Sequence, residues 1–321
     1  MRRGTKIWII AAASLCLIGS MIFGGAMTML KWDFTRLSTL KYENNVHMIT
    51  EEYRNIRVET ATADIVFLPS TDGTTTVECR EQTKMLHSVS VKDGTLAIEL
   101  ADTREWYDYI SINFGSPKIT VRIPAGEYGA LSVKHSTGNT EIAEGFRFES
   151  MDISGSTGHV KNRASVFGLM KIKASTGDIR VENIAAGSLD LAVSTGRVTV
   201  RNAVCTGDVS VKVSTGKTDM TGVRCASLIS NGSTGEIDLT DVIAAERISI
   251  CRSTGDIEFE RCDAAQLHIK TDTGDVEGTL LSEKIFMTKT DTGRISVPRT
   301  TSGGVCEIET DTGDIEISIS E

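Results

Sequence analysis

Proline is nearly missing from this 321-residue chain: there are four, and only Pro298 lies beyond residue 124. Because proline removes a backbone donor, its scarcity leaves long strand ladders uninterrupted. Aromatic residues make up 5% of the chain, and every Trp and Tyr lies before residue 129. The rest therefore has none of the aromatic-lined groove in which polysaccharide lyases and hydrolases work. The five histidines (His47, His87, His135, His159 and His268) follow no metal or triad spacing, which argues against catalysis. Positive charge is short as well. The formal charge of −9 becomes −12 once the leading Arg2, Arg3 and Lys6 are set aside. So acidic a chain is a poor nucleic-acid binder, since phosphate contacts need clustered Lys and Arg.

What the chain has in abundance is a repeat. Ser-Thr-Gly or Asp-Thr-Gly recurs ten times, with its glycine at Gly138, Gly158, Gly177, Gly196, Gly216, Gly235, Gly255, Gly274, Gly293 and Gly313. Each copy follows the last by 19 or 20 residues. A period in this range marks a solenoid, whose units bury their apolar faces only against one another.

Within a unit the tripeptide leads into a short alternating segment such as Asp178-Ile179-Arg180-Val181. A variable middle and a second segment such as Leu189-Asp190-Leu191-Ala192-Val193 follow. Period-two alternation puts Ile, Val and Leu on one face and charged or hydroxyl residues on the other. The glycine suits a corner of positive φ, and the Thr before it favours extended backbone. Rungs stacked about 4.8 Å apart would make a rod of roughly 45 Å, with the hydroxyls of the tripeptide arranged to ladder along it. The expected fold is all-β: a parallel β-helix, right-handed because parallel crossovers almost always are.

In chain order, an uncharged run from Ile7 to Leu30 follows the basic N-terminus and is closed by Lys31. It is long enough to span a bilayer, and the positive-inside rule puts everything after it outside the cytoplasm. A cleaved signal peptide is the rival reading, because Gly24-Gly25-Ala26 resembles a small-residue cleavage site. The expected division is an anchor over 1–31, a tether over 32–54, an irregular N-terminal cap over 55–135 and the ten-repeat solenoid over 136–321. Within the cap, the loop Asp102–Pro117 carries Trp106, Tyr107, Tyr109 and Phe114. This cluster is the candidate contact site, unless it merely plugs the end of the solenoid core.

The tenth unit is expected to leave an open edge after Asp314-Ile315-Glu316-Ile317-Ser318-Ile319, through which a partner or a second copy could pair. Cys205 and Cys225 both stand nine residues after their corner glycine and so would stack. A disulfide and a pair of small buried thiols both fit that position. Asp272, Asp291 and Asp311 form an acidic column that water or a cation such as calcium would have to screen. Asp-Thr-Gly is also the nucleophile-site tripeptide of aspartic proteases. Its three copies share a column with seven Ser-Thr-Gly copies, so a structural corner explains them better.

The membrane segment, the strands Ile56-Arg57-Val58 and Thr62-Ala63-Asp64-Ile65, and the repeated Ser-Thr-Gly-Asp-Ile corners together resemble a bacterial putative-adhesin family with a β-strand repeat domain. The resemblance spans roughly residues 50–321. It implies a β-helix at the cell surface, no catalytic motif and no cofactor. The leading expectation is a non-enzymatic surface protein that binds an envelope polymer or a membrane protein. The alternative is an accessory or sensor subunit of a membrane-located envelope-stress system, and a polysaccharide-active enzyme ranks last.

Overall fold

The structure, a computed structural model, describes residues 3–33, 41–104 and 115–320. Arg3–Met29 is a single helix, and its Trp8–Met29 stretch is long and apolar enough to cross a membrane. All other regular structure is β, with strands running from Tyr42 to Ile319.

Each rung of the solenoid enters along one strand, turns at its glycine and leaves along a second. Strands of neighbouring rungs pair in parallel and in register: Leu189, Leu191 and Val193 lie beside Val209, Val211 and Val213. After the corner, Ile179 and Val181 lie beside Val198 and Val200. These alternate residues are buried and stack as apolar columns along the axis. The hydroxyls expected to ladder do not face inward. The threonines of all ten tripeptides are exposed.

The corner glycines have φ between 129° and 156°. A second constraint acts on them that the repeat alone does not reveal. A Cβ on Gly196 would lie 1.9 Å from the carbonyl oxygen of Gly177, and one on Gly216 would lie 1.9 Å from that of Gly196. The rungs therefore stack backbone on backbone at this corner, and any side chain would force them apart.

Six residues further on, a second corner bends the outgoing strand. Asn183, Asn202, Gly222, Asp241 and Arg261 occupy it in successive rungs, with φ between 51° and 65°. Asn, Gly and Asp tolerate this left-handed conformation best. Beyond it lies a short third face, whose inward column reads Ala186, Cys205, Cys225, Ala244 and Ala264. Small residues fit because this side of the core is narrow.

The stack does not follow chain order at either end. At the C-terminal end, Cys306 lies between Leu267 and Phe286, and Ile315 lies between Val276 and Ile295. The rung of Gly304–Ile319 is thus inserted between its two predecessors. This corrects the expected open edge: it belongs to Lys284–Ser296, not to the last rung in sequence. The inserted rung carries the more apolar inner face, with Cys306, Ile308, Ile315 and Ile317 all buried. Position for position the outer rung offers Phe286, Thr288, Thr290 and Ile295 against Cys306, Ile308, Thr310 and Ile315, so the difference is a threonine in place of Ile308. Placing the apolar rung between two neighbours removes more apolar surface from water. Because the strands keep their direction while the stack steps backward, this final coil has the opposite hand to the coils before it.

The other end shows the same permutation. Ile56 lies between Leu96 and Leu131, and Ile65 lies between Ile119 and Thr140. The first rung in sequence, 55–69, is thus inserted beneath a rung formed by 95–102 and 118–123. That outer rung is then closed by antiparallel pairing. Thr75–Gln82 runs against Lys118–Ile123, and Met85–Lys92 runs against Thr95–Asp102. Tyr42–Ile49 pairs antiparallel with Thr75–Gln82 as the outermost strand. The expected tether over 32–54 therefore includes a strand. Its sequence shows no apolar face, and Val46 and Met48 are exposed, so backbone pairing rather than burial holds it.

Candidate interaction surface

The strand after each glycine points its first and third residues outward, and these form two charged columns. In the first column, side chains cap the next rung's backbone. Asn139 Oδ1 accepts from the His159 amide at 2.9 Å, and Asp178 Oδ1 accepts from the Arg197 amide at 3.0 Å. Asp256 Oδ1 accepts from the Asp275 amide at 2.9 Å, and Asp275 Oδ1 accepts from the Asp314 amide at 2.7 Å. This explains the frequent Asp after the glycine. Its carboxylate satisfies an amide that the turn leaves without a strand partner.

The same two columns divide the face by charge. From Gly158 to Gly216 they carry His159, Lys161, Arg180, Arg197 and Lys217, relieved by Asp178 and Asp219. From Gly235 onward they carry Glu236 with Asp238, Asp256 with Glu258, Asp275 with Glu277, and Asp314 with Glu316. Those are eight carboxylates on four adjacent rungs. The outermost rung then ends the columns with Arg294 and Ser296. Lys217 stands at the boundary, its Nζ 3.1 Å from Glu236 and 2.5 Å from Asp238. A shallow groove of about 560 Å³ crosses the acidic block, lined by Asp238, Glu258, Glu260, Glu277 and Glu316 above Phe259. Partial desolvation, then repulsion from Glu316, Asp275, Glu258 and Asp256, holds the Glu277 carboxyl above the usual range.

The aromatic cluster of Trp106, Tyr107, Tyr109 and Phe114 lies outside the described residues. Two other tyrosines of the N-terminal part, Tyr53 and Tyr128, have structural work. Tyr53 stacks on Tyr128 at 6.1 Å, and Tyr128 packs against Phe148 and donates to the Pro124 carbonyl at 2.7 Å.

Asp272, Asp311 and Asp291 stack in that order on the exposed edge of the corner. Lysine ammoniums already share this edge. Lys270 and Lys289 both reach Glu309, at 3.1 and 3.3 Å, and Lys289 lies 3.5 Å from Asp291. Cys205 and Cys225 are free and buried in the small-residue column. Burial pushes their thiols up to about 11 and 12, which keeps them protonated and unreactive at neutral pH.

With this geometry in place, the comparisons with known proteins have a clear reading. The Toastrack DUF4097 profile matches residues 53–211 and again 203–321, almost the whole β region. The chain belongs to the Toastrack DUF4097 family. The double match meets inside the solenoid, as expected where one profile fits successive stretches of a uniform repeat. Among solved structures, a putative adhesin from Parabacteroides distasonis ATCC 8503 is 14% identical, with a TM-score of 0.53. It covers 75% of this chain and 98% of its own. A putative adhesin from Parabacteroides merdae ATCC 43184 is 13% identical with a TM-score of 0.52, covering 74% of this chain and 96% of its own. Likeness at that identity speaks to the fold alone. No curated protein matches the chain.

The Toastrack body also holds a buried arginine that the repeat pattern hides. Arg252 occupies an inward position flanked by Gly232 and Thr271 of the neighbouring rungs, and it is 1% exposed. Its Nη1 donates to the Val213 carbonyl at 2.7 Å and its Nη2 to Thr218 Oγ1 at 3.0 Å. Both partners lie two rungs away. The guanidinium reaches them because the rung between has Gly232, where a Cβ would collide with Nη1 and with the Val213 carbonyl. His135 over Gly155 repeats the pairing of a large polar group with a glycine in the next rung. Inward glycines flanking a polar residue were the only signal available in the sequence.

Proposed function

We propose that this Toastrack protein is a membrane-anchored, extracytoplasmic binding protein that works without catalysis. Its ligand would be an extended envelope polymer or partner laid along the charged face. The observation that carries this reading is the register of that face. Charged side chains recur along two straight columns, mostly basic from Gly158 to Gly216 and wholly acidic over the four rungs from Glu236 to Glu316, with the boundary between Lys217 and Glu236. Such a ruler suits a partner with its own repeat, because each added contact costs no new ordering of the protein. The apolar helix supports anchoring, and the uninterrupted rungs support a non-enzymatic role. At the cell surface, the acidic block would select basic or cation-bridged ligands and repel anionic ones.

The test is co-sedimentation of the detergent-solubilised full chain with isolated cell walls, with and without calcium. Saturable binding that falls at least tenfold in Glu258→Lys/Glu277→Lys, or in Arg180→Glu/Arg197→Glu, would support the reading and assign the block responsible. Absence of binding under every condition would reject it in favour of an accessory role beside a membrane protein.

A further inference from the structure

The cap contains a buried cluster that none of the surface chemistry uses. Cys79, Glu81 and His87 each offer one ligand atom, and these atoms all lie within 4.8 Å of one another. All three residues are buried, beside the apolar core residues Val77, Ile98 and Ile119 of the cap. Cys79 and Glu81 alternate along Thr75–Gln82, so their side chains share a face. His87 follows the turn at Thr83 and Lys84, on Met85–Lys92. After that turn the two strands part. Thr75–Gln82 joins the sheet of Lys118–Ile123, and Met85–Lys92 joins the sheet of Thr95–Asp102. The three side chains thus converge from opposite walls of the solenoid at its closed end.

The outer contacts of the cluster are also in place. Glu81 Oε1 accepts from Asn45 Nδ2 at 2.8 Å, on the outermost strand. His87 Nε2 lies 2.9 Å from Thr60 Oγ1, in the first rung. Each far atom is tied down, and Glu81 Oε2, which also accepts from the His87 amide at 2.7 Å, faces His87 Nδ1 at 2.7 Å beside the Cys79 thiol. Ligating histidines and carboxylates are characteristically held this way, by hydrogen bonds to the atom that does not bind the metal.

We propose that Cys79, Glu81 and His87 form a zinc(II) site that clamps together the two diverging strands of the capping hairpin. Thiolate, imidazole and carboxylate together are a donor set for a borderline-soft divalent ion, with ligand distances of ~2.0–2.3 Å that a small outward movement of Nδ1 and Oε2 provides. Calcium is disfavoured, because it needs six or more oxygen ligands. Binding releases the Cys79 thiol proton to solvent, leaves the neutral His87 ring with its proton on Nε2, where Thr60 Oγ1 can accept it, and forms three metal–ligand bonds. The fourth position falls to water or another small donor. Since the site is closed, zinc enters as the cap folds rather than through the finished surface.

The full chain in detergent, unfolded in chelator and refolded with Zn²⁺, Co²⁺, Ca²⁺ or no metal, tests this. The expected result is one zinc retained per chain after dialysis, with a higher melting temperature than the metal-free protein. The cobalt form should show the near-ultraviolet thiolate-to-cobalt charge-transfer band. That band should vanish in Cys79→Ser and persist in Cys205→Ser, and calcium should leave the melting temperature unchanged. Refolded wild-type protein that keeps far less than one zinc per chain and gives no such band would overturn the proposal. Glu81 and His87 would then be a self-sufficient buried hydrogen-bonded pair. A band that survives Cys79→Ser would overturn it equally, and neither wild-type measurement depends on a variant folding.

Discussion

At one end of the solenoid the outer rung, 95–123, is covered by strands from two antiparallel pairings, and its inward residues Leu96, Ile98, Ile119 and Val121 are fully buried. At the other end the outer rung, 284–296, has no strand beyond it among the described residues, and Ile285, Met287 and Ile295 are exposed. Both ends insert their outermost rung in sequence one place inward. They differ in whether a cap is then added. The difference teaches that a parallel stack can protect its edge in two ways. It can cover the edge with strands of the opposite direction, or it can expose the rung that has least apolar surface to lose. Thr288 and Thr290 stand where the inserted rung has Ile308 and Thr310. The exposed rung thus turns a threonine toward the core where the inserted rung buries Ile308.

Several substitutions would sharpen or break this comparison, and the largest effect lies between the two ends. Gly216→Val should destabilise by at least ~3 kcal/mol, since it combines a strained φ with a collision against the Gly196 carbonyl. A variant that melts like wild type would show that the corner is not a backbone-on-backbone contact. Next, Ile308→Ala should cost about 2–4 kcal/mol as a truncation in a packed core. Thr288→Ala, one rung outward, should cost no more than ~0.5 kcal/mol. Equal costs in a denaturant series would contradict the inserted position of the last rung.

Hydrogen exchange reads the same order without mutation. Amides of Gly304–Thr312 should exchange more slowly than those of Lys284–Thr292, because only the former are sandwiched. A stack in plain chain order would give the reverse.

The smallest effect is electrostatic. The Glu277 carboxyl sits above its ordinary range, so the folded chain binds that proton more tightly than the unfolded chain does. Its ionised form therefore opposes folding at neutral pH, and this penalty fades as pH falls into the carboxylate range. Glu277→Gln should stabilise at pH 7 by up to ~0.5 kcal/mol, with the gain shrinking in acid. Asp314 has the opposite sign. The Arg294 amide and then its guanidinium hold its carboxyl low, so its contribution is present at neutral pH and lost as pH falls. Asp314→Asn should accordingly destabilise at pH 7 and converge with wild type in acid.

Much of the rod is legible in the chain because each feature is local and repeated. Ten glycines at one spacing mark the corner, and Ile-x-Val alternation marks the buried face. The second corner was legible too, in Asn183, Asn202, Gly222 and Asp241, each six residues after its glycine. It passes unnoticed because Arg261 breaks the pattern and because the third face it opens is only three residues long. The charged columns can be read from the same spacing. Their division into a basic and an acidic block needs the stacking order, since Asp314 and Glu316 join the acidic block only through the inserted rung.

What the sequence by itself determined is everything set by near neighbours: strand alternation, the need for glycine at the turn, the period, and an apolar helix ahead of them. Tertiary structure alone decided the order of the rungs at both ends, the reach of Arg252 across Gly232, and the meeting of Cys79, Glu81 and His87. The physical reason is that parallel rungs of one length pair almost equally well with any neighbour. Backbone hydrogen bonding therefore leaves their order open, and total apolar burial chooses among the alternatives. That sum runs over the whole stack and cannot be read from any single repeat.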